Sequence, residues 1–159
     1  MQGRSGQATV EFSLVIGFVL LLILGAIQTG LYAIERGNAV SATEAGVLTA
    51  VSGQGSPAGG PATYAVYDAV APQLGTGLFG AKPRLQEPVG GVCPPLDTNG
   101  PAGTVFICSV YDAQTATVTV SVHGWVPALV PPGFGLSGGH GWALPIDLHQ
   151  LAHVATFAP

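Results

Sequence analysis

Charge is what this sequence has least of. Four lysines and arginines and eight aspartates and glutamates make up 8% of 159 residues, about a third of the share usual in a soluble domain. With a formal net charge of −4 and no basic cluster, the chain has no electrostatic footprint for DNA or RNA, and nucleic acid is excluded as a partner. No block of like charge, heptad array or repeat of 20 to 50 residues is present, which excludes coiled coils and solenoids. Cysteine is nearly absent too: Cys93 and Cys108 stand alone and lie too far apart for the Cys-x-x-Cys spacing of a redox-active pair.

Catalytic patterns are equally thin. No Ser-His-Asp order, phosphate-binding loop or close carboxylate pair stands in a convincing context. Gly133-Phe-Gly-Leu-Ser-Gly-Gly139 lies amid prolines and reads as plain loop rather than a strand-to-helix turn. Four histidines fall in the last third: His123, His140, His149 and His153. His149 and His153, four apart, would share a face of a helix or of a strand, but no third ligand is in register and no His-Glu-x-x-His pattern supports them. No enzyme activity, cofactor or metal is expected; an extracytoplasmic metalloenzyme built on His149 and His153 is the minor alternative.

What the chain has in abundance is apolar surface: 48% of residues are hydrophobic, set among 24 glycines and 13 prolines. From Phe12 to Ile34 only Ser13, Gln28 and Thr29 are clearly polar. As a helix this run reaches about 34 Å, enough to cross the hydrocarbon core of a bilayer. It is longer than the apolar core of a secretory signal peptide, and Glu11 stands at its front, where such signals carry no acid. Arg4, the only charge before it, predicts a cytoplasmic N-terminus, with residues beyond about 35 outside. Ala26 and Gly30 are a weak small-x-x-x-small pair for a neighbouring helix.

Between Glu35 and Ser52 polar residues enter while the helical period persists. Val40, Val47 and Val51 form one face flanked by small residues, which predicts that the span continues as a stem. Residues 53–62 are rich in glycine and proline and read as a linker. Thr63 can cap a second helix with Val66, Val70 and Leu74 as its stripe, flanked by Tyr64 and Tyr67 and closed by Pro72 and Gly75. Pro83 to Val89 suggests a short edge strand. Thr104–Asp112 and Thr117–His123 alternate as two strands of a hairpin, with Val118, Val120 and Val122 inward and Thr117, Thr119, Ser121 and His123 outward.

Trp125 to Trp142 reads as an apolar loop, either a docking or membrane-touching surface or a segment folded back over the sheet or stem. Leu144, Ile146 and Leu148 resume a period of two that slips near His149-Gln150, predicting a bulge or a break between strands. The fold expected is α+β: a long transmembrane helix and stem followed by a small antiparallel sheet. The chain divides into residues 1–6, a helix and stem at 7–52, the linker at 53–62 and an extracytoplasmic domain at 63–159. On that side of a membrane an even cysteine count favours a Cys93–Cys108 disulfide, with two unpaired thiols as the alternative. A loop of about 15 residues would gain roughly 3 kcal/mol from such closure.

Glu11 then carries the most information. A carboxylate at the head of a span costs several kcal/mol unless it meets a partner or water. A cut after Gly6 would make Gln7 a free amino terminus four residues from Glu11. The ammonium of one subunit could then neutralise the carboxylate of the next and set the register of assembling spans.

Gly6, Glu11 and Phe12, ahead of this span, resemble the processing site of type IV pilins, and glutamate followed by an aromatic is like the Flp/Tad branch. The added C-terminal residues, and Gly6-Gln-Ala-Thr-Val-Glu-Phe12 with Ala39, Ala42 and Gly46 on the stem, are similar to TadE-like pseudopilins. That resemblance implies cleavage after Gly6 by a prepilin peptidase, with Gln7 as the new terminus and Glu11 and Phe12 as assembly residues. It further implies other pilin or pseudopilin subunits and the Tad assembly platform as partners, in a pilus serving adhesion or secretion. Stem arginines common in that family are reduced here to Arg36. The competing reading is an unprocessed, membrane-anchored binding module.

Overall fold

The computed structural model describes residues 5–52, 63–74, 81–97, 100–128 and 143–153, with side chains of the first helix from residue 9 onward. That helix, α1, runs unbroken over Ser5–Val51, about 70 Å at 1.5 Å per residue. Its hydroxyl side chains fold back onto the helix: Ser13 Oγ donates to the Thr9 carbonyl and Thr29 Oγ1 to that of Gly25, each at 2.9 Å. Such back-bonding leaves no hydroxyl of the apolar stretch needing an outside partner.

A second helix, α2 (Thr63–Leu74), packs on the C-terminal half of α1. Pro72 sits in its last turn, without an amide to give the carbonyl four residues back, and the helix ends two residues later. The expected cap at Thr63 concerns a side chain outside those described, as does Gly75. Four strands follow: β1 (Lys82–Leu85), β2 (Thr104–Asp112), β3 (Thr117–Pro127) and β4 (Ala143–His153), in the spatial order β1-β2-β3-β4. Both helices cover one face of this sheet. Val105, Ile107, Val118, Val120, Val122, Val126 and Ile146 meet Val66, Val70, Ala39 and Ala42 there. Each fully buried aliphatic side chain contributes roughly 1.5 to 3 kcal/mol.

The α+β class holds, and several details differ from expectation. The sheet is mixed rather than wholly antiparallel, because β1 pairs in parallel with β2, Lys82 opposite Thr104 through Leu85 opposite Ile107. A long connection separates these two strands, and only a tight hairpin would have forced them antiparallel. β1 also stops at Leu85; Val89 instead bridges to Val92 across Gly90 and Gly91, both left-handed at φ 62° and 79°, the two-residue turn that glycine allows. β3 continues past His123 to Pro127, so Trp125 to Pro127 are strand. Gly124 makes this possible: a Cβ there would collide with the Thr104 carbonyl and lie 2.7 Å from Val105 Cα. The remainder of the expected loop, 129–142, lies outside the described residues, as does the linker 53–62.

No bulge interrupts β4. Its register with β3 is constant from Pro127 opposite Ala143 to Thr117 opposite His153. The polarity pattern slips because this end of β4 is little buried, with Leu151 62% exposed, so hydrophobicity there no longer reports which way a side chain points. Thr117, Ser121 and His123 face away from the helices as expected, yet all three are buried. The segment 93–97 is drawn over that outer face by the Cys93–Cys108 disulfide and by the bond from Trp125 Nε1 to the Asp97 carbonyl at 2.8 Å.

Candidate functional site

The two halves of α1 have different surroundings. From Thr9 to Leu24 every residue is exposed, including Phe12 at 65%, Leu14 at 70% and Phe18 at 65%. Within Thr9–Val51 an 18-residue window has a mean hydropathy of 2.6 and none of it is buried in the protein. A helix apolar on all sides needs lipid or other helices around it. Glu11 stands exposed at its head, beside Phe12. Gly6 and Gln7 lie in the first turns of α1, where only the backbone is described.

Beyond Gly25 the domain closes on one side of the helix. Glu35, Ala39, Ala42, Thr43 and Gly46 are buried there, at spacings of three, four and one that keep them on one face. This packing face is therefore built from the small residues; Val40, Val47 and Val51 are only half-buried. Close approach is the reason: a Cβ on Gly46 would lie 2.6 Å from Val70 Cγ2 and 3.3 Å from both Val120 and Val66. Where the stem leaves the apolar stretch, Gln28, Tyr32 and Glu35 face Val126, Pro127 and Leu144 across a shallow cleft. Tyr32 donates from its hydroxyl to the Pro145 carbonyl at 2.9 Å, tying α1 to β4.

Cys93 and Cys108 are bonded, with Cα atoms 5.8 Å apart. On the same outer face Ser121 and His149 lie opposite each other on β3 and β4, Oγ to Nδ1 2.7 Å, and His149 Nε2 is 3.0 Å from Asp147 Oδ1. This Ser-His-Asp chain was not legible in the sequence, because it depends on a strand register that joins residues 28 apart. It resembles a nucleophilic relay, but Ser121 is 0% exposed and its Oγ has no approach for a substrate. The arrangement anchors β4 to β3.

His123 lies two pairs along, opposite Asp147, with its ring 6.0 Å from that of Phe106. It is buried and its Nδ1 has no hydrogen-bond partner. Burial pushes its pKa below the ordinary 6.5, Asp147 opposes that shift, and His149 adds to it. His153 follows His149 by four positions on the same strand, so the two are about 13 Å apart along it, and their spacing does not converge on one ion. Among the described residues no group of three His, Cys, Asp or Glu side chains converges as a metal site.

The described residues thus form a small α+β domain carried on one face of a helix whose other half is apolar and exposed. The family model for TadE-like protein matches residues 6–48, which covers that helix from Gly6 almost to its end. Over this segment the resemblance read from Gly6, Glu11, Phe12, Ala39, Ala42 and Gly46 is shown. No curated protein and no solved structure matches the chain.

Proposed function

We propose that this chain is a minor, pilin-like subunit of a Tad-type pilus, cut after Gly6 by a prepilin peptidase and assembled through its N-terminal helix. The observation that carries the reading is the coincidence of the TadE-like segment 6–48 with an uncovered apolar helix headed by Glu11. An acid at the mouth of a span is stable only where a cation or water meets it, and the Gln7 ammonium of a neighbouring subunit is such a cation. The membrane holds the span before assembly, with the N-terminus in the cytoplasm and the domain outside. Adhesion or secretion would be the task of the assembled structure, and the disulfide suits an oxidising compartment.

The mass of the mature N-terminus tests this directly. A chain beginning at Gln7 is expected. An intact Met1, or a cut beyond residue 20, would overturn the reading in favour of an unprocessed anchored module.

A further inference from the structure

Among the described residues nothing covers the side of α1 opposite the domain. Gly30, Ala33, Gly37, Ser41, Glu44 and Leu48 are exposed along it, and a Cβ on Gly30 or Gly37 would meet nothing within 4 Å. Four charged residues lie on α1: Glu11, Glu35, Arg36 and Glu44. Glu35 is turned into the domain, so beyond the apolar stretch one cation and one anion remain exposed. Arg36 is on the flank of the uncovered side and Glu44 near its middle. They are eight residues apart, about 12 Å along the axis, too far to meet on one helix, and among the described residues neither has an ion-pair partner.

We propose that this face is a contact between copies of the chain, in which a parallel neighbour is staggered by eight residues so that Arg36 of one copy meets Glu44 of the next. The proposal rests on the pilin-like reading and offsets neighbouring copies of this chain by about 12 Å along the axis. Each copy offers Arg36 to one neighbour and Glu44 to another, so the contact is heterologous and repeats without closing. The absence of large side chains at 30, 33 and 37 lets the backbones approach.

Sheet extension does not compete with it. Identically oriented copies could join sheets only by setting β4 against β1. Lys82 and Gln86 give their amides to the carbonyls of Gly103 and Ile107, so Pro83 and Leu85 face outward. Pro83 has no amide, and its carbonyl already accepts from Tyr67 at 3.2 Å.

Cysteine cross-linking of the full chain in its own cell envelope tests the stagger. Copies carrying Ala33→Cys are co-expressed with copies carrying Ser41→Cys, positions eight apart and exposed. The 33-to-41 link should exceed both like-with-like links. Arg36→Glu should lower it by about tenfold, through lost attraction and new repulsion, and adding Glu44→Arg to the same chain should restore it. Dominant 41-to-41 links, no 33-to-41 link, or indifference to charge reversal would each overturn the proposal. The N-terminal mass from the same membranes separates the two readings. A chain cut at Gly6 without the 33-to-41 link refutes the stagger alone, whereas the link on an uncut chain supports the stagger and refutes processing.

Discussion

The two halves of α1 are built from the same repertoire of alanine, glycine, valine and leucine, yet they meet opposite fates. Between Thr9 and Leu24 every residue is exposed, while between Gly25 and Val51 one face is sealed against α2 and the sheet. The difference lies in the size of the side chains facing the domain. Ala39, Ala42 and Gly46 allow a close approach that Leu20, Leu21 and Leu22 would prevent, so the stem docks and the span does not. A substitution should therefore act on assembly in one half and on stability in the other.

The largest separation is expected at Glu11. Glu11→Ala should abolish assembly, read as loss of the chain from sheared surface fractions, and leave the thermal midpoint of the domain unchanged. An equal loss of both would mean that the halves are not independent. Breaking the disulfide should do the reverse: Cys93→Ser should cost about 3 kcal/mol, as expected for closing a loop of this length, measured by denaturant unfolding of the detergent-solubilised chain.

Glycine sharpens the comparison further, because the same change falls in both environments. Gly46→Leu should destabilise the domain by about 2 kcal/mol through overpacking against Val70. Gly30→Leu, where nothing lies within 4 Å, should leave the unfolding midpoint in place. Tyr32 sits at the border of the two halves. Tyr32→Phe removes its bond to the Pro145 carbonyl and should cost about 1 kcal/mol.

The smallest effect is one of pH. The His123 pKa lies below its ordinary 6.5 in the folded chain because the neutral ring is buried. Above pH 6.5 the group makes no difference to the pH dependence. As pH falls below 6.5 the unfolded chain takes up the proton first, so stability declines until the pH passes below the lowered folded value. His123→Leu should flatten the stability profile over that window, and an unchanged profile would remove His123 as its source.

Much of this architecture is local and was therefore legible. The length of the helix follows from an uninterrupted apolar run and a persistent helical period. The second helix follows from the stripe of Val66, Val70 and Leu74, and the β2–β3 hairpin from two alternating runs around Asp112. Asp112 closes that turn as expected of its type, accepting from the Gln114 amide and the Thr115 hydroxyl, which also lowers its pKa.

The misread elements fail for one shared reason. Gly124 looks like the end of a strand because it has no side chain to continue the alternation, and it stays in the strand because the neighbouring backbone leaves no room for one. His149 and Gln150 look like a bulge because polarity follows burial, and this end of β4 is little buried, with Leu151 62% exposed. Ser121, Asp147 and His149 could not be grouped at all before the register of β3 with β4 was known.

By itself, then, the sequence determined the membrane-length helix, the acid at its head and the α+β class, since each depends on residues near one another in the chain. Only the tertiary structure decided which face of the stem is sealed, that the sheet is mixed, and that Glu35 turns inward while Arg36 and Glu44 remain outside. Those outcomes depend on distances of a few ångströms between segments far apart in sequence, where a missing Cβ at Gly46 or Gly124 settles which surfaces can meet.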